Sequence, residues 1–198
     1  SPGGRMVVNV ANLGRKPYIP LSTYINNIML NLGFLMRGEI MWDKSASAGS
    51  SCAWGSFQSA SNPCLRDIHE YLLVFSKGDY KLSRSKKERE EGRIDTIDKQ
   101  EFIDHTKSIW RFATERASRV NHPAPFPVEL PRRCIELYTF AGDVVLDPFN
   151  GSGTTCVASK LTGRTYIGVD LSSEYCQIAE ERLAQTDAFE LAQTKSAS

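Results

Sequence analysis

Apolar residues recur along the chain in two periods, and these divide it into elements. "RMVVNVAN" (5–12) is a nearly unbroken apolar run after a Pro-Gly-Gly turn and predicts a buried strand. Residues 21–34 place Leu21, Ile25, Ile28, Met29 and Leu32 at the three-to-four spacing of an amphipathic helix, with Gly33 as its stop. "LMRGEIMWDK" and "HEYLLVFSKG" predict two further strands. Between them, residues 45–63 form a Ser/Ala/Gly loop bearing Trp54 and Phe57, too long to be an idle connection. Residues 98–113 predict a helix leading into a loop. Prolines crowd the start of 122–139, and a helix follows. The last third reads as strand (143–147), glycine loop, helix (154–162), strand (164–171) and helix (172–185), with a small polar tail to Ser198 that is expected to fray. No internal repeat is present.

Composition narrows the class. A chain of 198 residues, 41% hydrophobic and 24% charged, is long enough for a real core and has the balance of a soluble globular protein. No apolar run approaches the roughly 18 residues a membrane span needs, and Ser1 opens no signal-peptide pattern. The five cysteines (Cys52, Cys64, Cys134, Cys156, Cys176) are odd in number, scattered and without a C-x-x-C. That argues against a zinc ribbon or a disulfide scaffold and for reduced thiols in a cytoplasmic protein. No other metal-binding constellation is found. The net charge of +1 neither favours nor opposes nucleic acid, but residues 77–93 gather seven Lys/Arg against four Asp/Glu. Such runs are usually solvated surface.

The chemistry concentrates in "DVVLDPFNGSGTT" (143–155). A strand ends on Asp147, turns through Gly151 and Gly153, and enters a helix; a second strand ends on Asp170, 23 residues further on. Strand, loop, helix, strand is a βαβ unit, with its ligand edge at the strand C-termini. Glycines let such a loop turn tightly and let a ligand approach the backbone. A P-loop would close on Gly-Lys-Ser/Thr, and Thr154 follows Gly153 directly, so that reading fails. A nicotinamide loop wants a third glycine where Cys156 stands, which weakens it. A sugar-bearing cofactor without a pyrophosphate fits better. Asp170 is placed to accept from both ribose hydroxyls, and an acid at 147 suits a cationic amine or sulfonium. S-adenosylmethionine carries both. An ordinary βα turn is the competing account, and the combination of Asp147, loop and Asp170 favours the cofactor.

"DPFNGSGTT" with "GVDLSSEYCQIAEERL" resembles the cofactor-binding half of DNA amino-methyltransferases, which methylate N6 of adenine or N4 of cytosine. "HPAPFPVELPRRCIELYT", "PGGRMVVNVANLGRKPYIPL" and "RDIHEYLLVFSKG" resemble further segments of that family, so the likeness runs over roughly residues 2–183. It implies an α/β fold: the Rossmann-like sheet of S-adenosylmethionine-dependent methyltransferases, with helices on both faces, incomplete in this chain. It implies that Asp147, Phe149, Asn150, Gly151, Gly153, Thr154 and Thr155 surround the methionine and sulfonium. Asp170 would hold the ribose, and Leu171 would pack near the adenine. His122, Pro123, Phe126 and Pro127 would close over the methionine end, with His122 equally readable as a cap of its turn. Cys156 and Cys176 fall in helices and read as core.

The family's base-binding tetrapeptide, Asp/Ser/Asn-Pro-Pro-aromatic, does not occur, because no Pro-Pro is present. In the family's permuted order, with the cofactor motif C-terminal, the tetrapeptide precedes the Pro-Gly-Gly turn, which here is Pro2–Gly4. The chain is therefore expected to lack the N-terminal part with that motif and to be inactive alone. Its sheet would be completed by the rest of the enzyme or by a second chain, unless the strands flanking the gap meet directly. Double-stranded DNA is the expected partner, with the target base flipped out, in the setting of restriction-modification. Trp54, Phe57, Lys86, Lys87, Arg89, Arg111, Arg116 and Arg119 are the candidate DNA contacts. Asn62, Arg66 and His69 lie beside the loop, the last two reading more readily as anchors of the next strand. Residues 1–80 read as the C-terminal half of the catalytic-side sheet with the loop, 81–121 as a target-recognition insertion, 122–185 as the cofactor segment and 186–198 as a flexible tail. A non-catalytic split subunit that binds cofactor or DNA is the alternative, and a methyltransferase acting on RNA or a small molecule a more distant one. Adenine against cytosine stays open.

Overall fold

The computed structural model describes residues 2–14, 16–45, 57–58, 60–63, 65–82, 92–114 and 126–196, with side chains as far as Thr186. The elements are β1 (Arg5–Val10), α1 (Leu21–Asn31), β2 (Phe34–Asp43), β3 (His69–Lys77), α2 (Lys99–His105), β4 (Ile109–Arg111), α3 (Glu129–Tyr138), β5 (Val144–Asp147), α4 (Thr154–Leu161), β6 (Thr165–Gly168) and α5 (Ser173–Ser196). They divide into two compact units, Ser1–Lys87 with Thr106–Ala113, and Glu88–His105 with Thr114–Ser198. No helix among the described residues is long and apolar enough to cross a membrane.

The first unit is built on a sheet of order β1-β3-β2-β4. β1 and β2 run antiparallel to β3, and β4 runs parallel to β2. The "LLVF" of β3 is buried residue by residue, as a continuous apolar run predicts for a strand covered on both faces. Ile25 and Met29 of α1 lie on one face against Val8, Val10, Phe34, Met36, Tyr71, Leu73 and Phe75. The helix stops where expected: Gly33 takes φ +82° and its N–H returns to Leu30 O at 3.0 Å.

β4 departs from the expected helix-then-loop at 98–113. Its three residues alternate exposed, buried, exposed, too short a pattern to read beside the helical one before it. Contacts far along the chain decide it. Met41 N–H donates to Ser108 O (2.8 Å), Trp42 Nε1 donates to Phe112 O (3.0 Å), and the Trp42 and Phe112 rings stack at 5.4 Å.

In the second unit β5 and β6 pair in parallel, from Val144↔Thr165 to Asp147↔Gly168. The buried helix α4 connects them. α2 docks on α3 through Arg132, which meets Glu101 at 2.9 Å, Glu129 at 2.8 Å and Glu136 at 2.8 Å. The buried Arg164 donates to Thr96 Oγ1 (2.7 Å), Thr139 Oγ1 (3.0 Å), Thr139 O (2.9 Å) and Thr162 O, tying three segments together. α5 continues to Ser196, so most of the 186–198 stretch is helical, in keeping with its Ala, Glu, Gln and Lys content. The 81–121 stretch is divided, α2 belonging to this unit and β4 to the other.

β1 bonds β3 and β5 bonds β6 in two separate sheets. Val144, Leu146, Ile167 and Val169 are each more than half exposed, which leaves an apolar face on the β5–β6 pair.

His105 gives this unit a pH dependence. It is buried at the end of α2, and burial pushes its imidazole below the ordinary 6.5, with Arg133 and then Arg132 adding to the effect against Glu101 and Glu129. The unfolded chain takes up a proton near 6.5 where the folded one does not, so stability is full above that pH and declines as pH falls below it. Urea melts at pH 7.5 and 5.5 are expected to show a loss of at most about 1.4 kcal/mol per pH unit from this group. His105→Gln removes its part of the slope; an unchanged slope in that variant would refute the assignment.

Candidate functional site

β5 and β6 end level with each other, and their pairing runs on into the loop. Val169 N–H donates to Asp147 O (2.9 Å) and Asn150 N–H donates to Val169 O (2.9 Å). Asp147 then folds the loop over itself. Its Oδ1 accepts from Phe149 N–H at 3.0 Å and its Oδ2 from the Thr155 hydroxyl at 2.6 Å. One short carboxylate thus joins the start of the loop to the first turn of α4.

Asp170 closes the loop from the neighbouring strand. Its Oδ2 accepts from Gly151 N–H at 2.8 Å and its Oδ1 from Ser172 N–H at 2.9 Å. A carboxylate has roughly four acceptor directions, and both oxygens of this one hold backbone N–H groups. Phe149 and Leu171, each two residues or fewer past its acid, stand exposed at the strand tips (88% and fully). The tips therefore present two carboxylates, which accept, and two uncovered apolar side chains.

Other expected residues take supporting positions. Asn150 turns inward, accepting from the Cys156 thiol at 3.1 Å, and a Cβ on Gly168 would come within 2.6 Å of its Cγ. Burial, with the charge of Asp147 adding to it, pushes the Cys156 thiol up to about 11, so it stays a neutral donor. Gly151 and Gly153 take φ +49° and +80°, and Thr154 is buried at the head of α4. Pro127 O accepts from Leu130 N–H at 3.0 Å as α3 begins, with Phe126 beside it half-buried. His122 and Pro123 lie outside the described residues.

Residues 1–181 match the family model of N6/N4 methyltransferases, described as DNA methylase. The chain belongs to this DNA methylase family. Among its relatives is the Type II methyltransferase M.MthZI of Methanothermobacter thermautotrophicus, 30% identical over 197 residues, a match that takes in 94% of this chain and 55% of that protein. Among solved structures, the candidate DNA modification methylase TTHA0409 of Thermus thermophilus matches with a TM-score of 0.73 and 30% identity, over 93% of this chain and 72% of that one. Its complex with S-adenosyl-L-methionine matches at 0.71, again at 30% identity, over 93% and 70%. The chain spans about half the length of the curated DNA methylases it matches.

The residues expected to meet DNA are less gathered. Phe57 is exposed. Arg111 Nε donates to Asp43 Oδ2 at 3.1 Å, so its charge is shared with a carboxylate while its side chain stays largely exposed. Trp54, Lys86, Lys87, Arg89, Arg116 and Arg119 lie outside the described residues. His69 opens β3 opposite Asp43 and packs edge-on against Tyr71 at 4.8 Å, as an anchor would; Asn62 and Arg66 are exposed before it.

Sequence reasoning missed Gly168, Ala179 and Arg182. Gly168 makes room for Asn150, and Ala179 lies against Gly153. Arg182 donates to Ser152 and Thr154. Only the spacing of Ala179 and Arg182, three apart on one helix face, was there to be noticed.

Proposed function

We propose that this chain forms the S-adenosylmethionine-binding portion, and part of the DNA-binding portion, of a DNA methyltransferase acting on the exocyclic amine of adenine (N6) or cytosine (N4). The observation that carries the reading is the pair of acids, Asp147 and Asp170, at the tips of adjacent parallel strands with the glycine loop between them. The bound cofactor supplies an electrophilic methyl group on its sulfonium. Asp170 accepts from the ribose hydroxyls, Leu171 packs near the adenine, Phe149 borders the methionine and sulfonium, and Asp147 sets a negative charge towards that cationic end. Phe126 and Pro127, with His122 and Pro123, border the methionine end. The DNA contacts proposed are Trp54, Phe57, Lys86, Lys87, Arg89, Arg111, Arg116 and Arg119. A DNA substrate and free thiols at Cys134, Cys156 and Cys176 suit the cytoplasm.

The target amine is a weak nucleophile and needs acceptors that orient it. The family's Pro-Pro tetrapeptide does not occur among the 198 residues, so this role falls to another segment, either further sequence of the same enzyme or a second chain. The exposed face of Val144, Leu146, Ile167 and Val169 supports such a completing element. The same absence supports the second reading, a split subunit that binds cofactor or DNA without catalysis. Calorimetric titration of the purified chain with S-adenosylmethionine is expected to show binding, and a flat titration would sink the cofactor reading. Tritiated methyl transfer to mixed-sequence DNA is expected to be absent with the chain alone. Clear turnover there would mean that a group within these residues binds the amine.

A further inference from the structure

The glycine loop is held from behind as well as from the strand tips. α5 lies against it so closely that a Cβ on Gly153 would come 2.6 Å from Ala179 Cβ and 3.0 Å from Ala179 Cα. Three residues further on the same helix face, Arg182 Nη1 meets Ser152 O at 2.6 Å, Ser152 Oγ at 3.0 Å and Thr154 Oγ1 at 3.0 Å. Ser152 and Thr154 are each 4% exposed, so these bonds are made away from water and their loss would leave buried acceptors unsatisfied. They fall on either side of Gly153, the left-handed residue that opens α4 without a side-chain cap. The three contacts converge on one guanidinium nitrogen, a permanently charged donor held among three oxygens. The loop is thus fixed between two carboxylates at the strand tips, through Gly151 N–H, Phe149 N–H and Thr155, and one cation behind.

We propose that Arg182 is a positioning residue for the cofactor loop: acting through Ser152 and Thr154, it fixes Gly153 between them and so sets the affinity for S-adenosylmethionine. The proposal rests on the cofactor reading above, and its test separates the two. Arg182→Met and Arg182→Lys are made in the full chain. S-adenosylmethionine affinity is measured by calorimetry, and amide hydrogen exchange is followed without cofactor. Arg182→Met is expected to weaken binding roughly ten- to a hundred-fold, the cost of a small displacement of a preorganised site. It is also expected to speed exchange at 150–156 while leaving β1, β2 and β3 unchanged. Arg182→Lys is expected to recover part of both effects, since its ammonium keeps the charge and the N–H donors but its shorter stem stops short of the position Nη1 holds. Should the Met variant fail to fold, the Lys variant carries the comparison with the parent chain. Unchanged affinity in the variants, or exchange accelerated evenly over the whole unit with Lys no better than Met, would overturn the proposal. If the parent chain bound no cofactor, the cofactor reading would fall. Arg182 would then be judged by exchange: faster in the loop alone supports the positioning role, and unchanged refutes it.

Discussion

Gly153→Ala is expected to cost the protein both its loop geometry and its affinity for S-adenosylmethionine. Two penalties coincide at this position. The backbone takes φ +80°, and an L side chain in the left-handed region costs about 1–2 kcal/mol. The added methyl would also lie 2.6 Å from Ala179 Cβ and 3.0 Å from Ala179 Cα. The second of these atoms is helix backbone and cannot swing aside, so overpacking adds roughly 1–3 kcal/mol. The loop relieves the clash by moving off α5, and a displacement near 1 Å in a site built on position is worth about a hundred-fold in function. Calorimetry is expected to show that loss together with a lowered melting temperature. Ala179→Gly supplies the internal control, because it removes the nearest clashing atom and leaves the φ penalty in place. In the double variant part of the lost affinity should return, although a glycine within α5 itself costs about 1 kcal/mol. Coupling between the two substitutions is the signature of direct contact. Full affinity in Gly153→Ala would mean that the loop does not frame the cofactor.

What the sequence disclosed, and what it withheld, follows the range of the interactions. α1 and β3 are local: the spacing of Ile25 and Met29, and the unbroken "LLVF", report the environment each residue enters. The glycine loop is legible for the same reason, since Asp147 bonds residues two and eight positions on. β4 is not local. Its three residues become a strand because Trp42 and Phe112, 70 residues apart, stack and hydrogen-bond. Arg164 is not local either: it is buried, and it donates to oxygens of Thr96 and Thr139, 68 and 25 residues away. Arg182 was hidden in the same way, its acceptors lying 28 and 30 residues back. Asp147 and Asp170 stand out in the sequence because each ends an apolar strand run. The cations that shape the structure around them do not, because any lysine or arginine on a helix satisfies the local pattern equally well.

Asp170 joins the legible and the hidden parts of the site, and its replacement is the second large effect expected. The sequence assigns it to the ribose; the structure adds that it already accepts from Gly151 N–H at 2.8 Å and Ser172 N–H at 2.9 Å. Asp170→Ala therefore does two things at once. It removes the acceptor proposed for the ribose hydroxyls, on the order of 2–4 kcal/mol for two charge-assisted bonds, and it releases the loop at Gly151. The two contributions can be separated with a cofactor analogue lacking the ribose hydroxyls. If Asp170 binds ribose directly, the parent chain should discriminate strongly between S-adenosylmethionine and the analogue, and Asp170→Ala should scarcely discriminate at all. If Asp170 serves only the loop, both proteins should lose the same factor when the hydroxyls are removed. Asp170→Asn refines the comparison. The amide keeps one acceptor oxygen but turns an N–H₂ towards a backbone donor, so one of the two loop bonds is lost and the negative charge with it. Its affinity is expected to fall between those of the parent chain and Asp170→Ala. Equal discrimination in the parent chain and Asp170→Ala would remove Asp170 from the ribose and leave it as the residue that holds Gly151 in place.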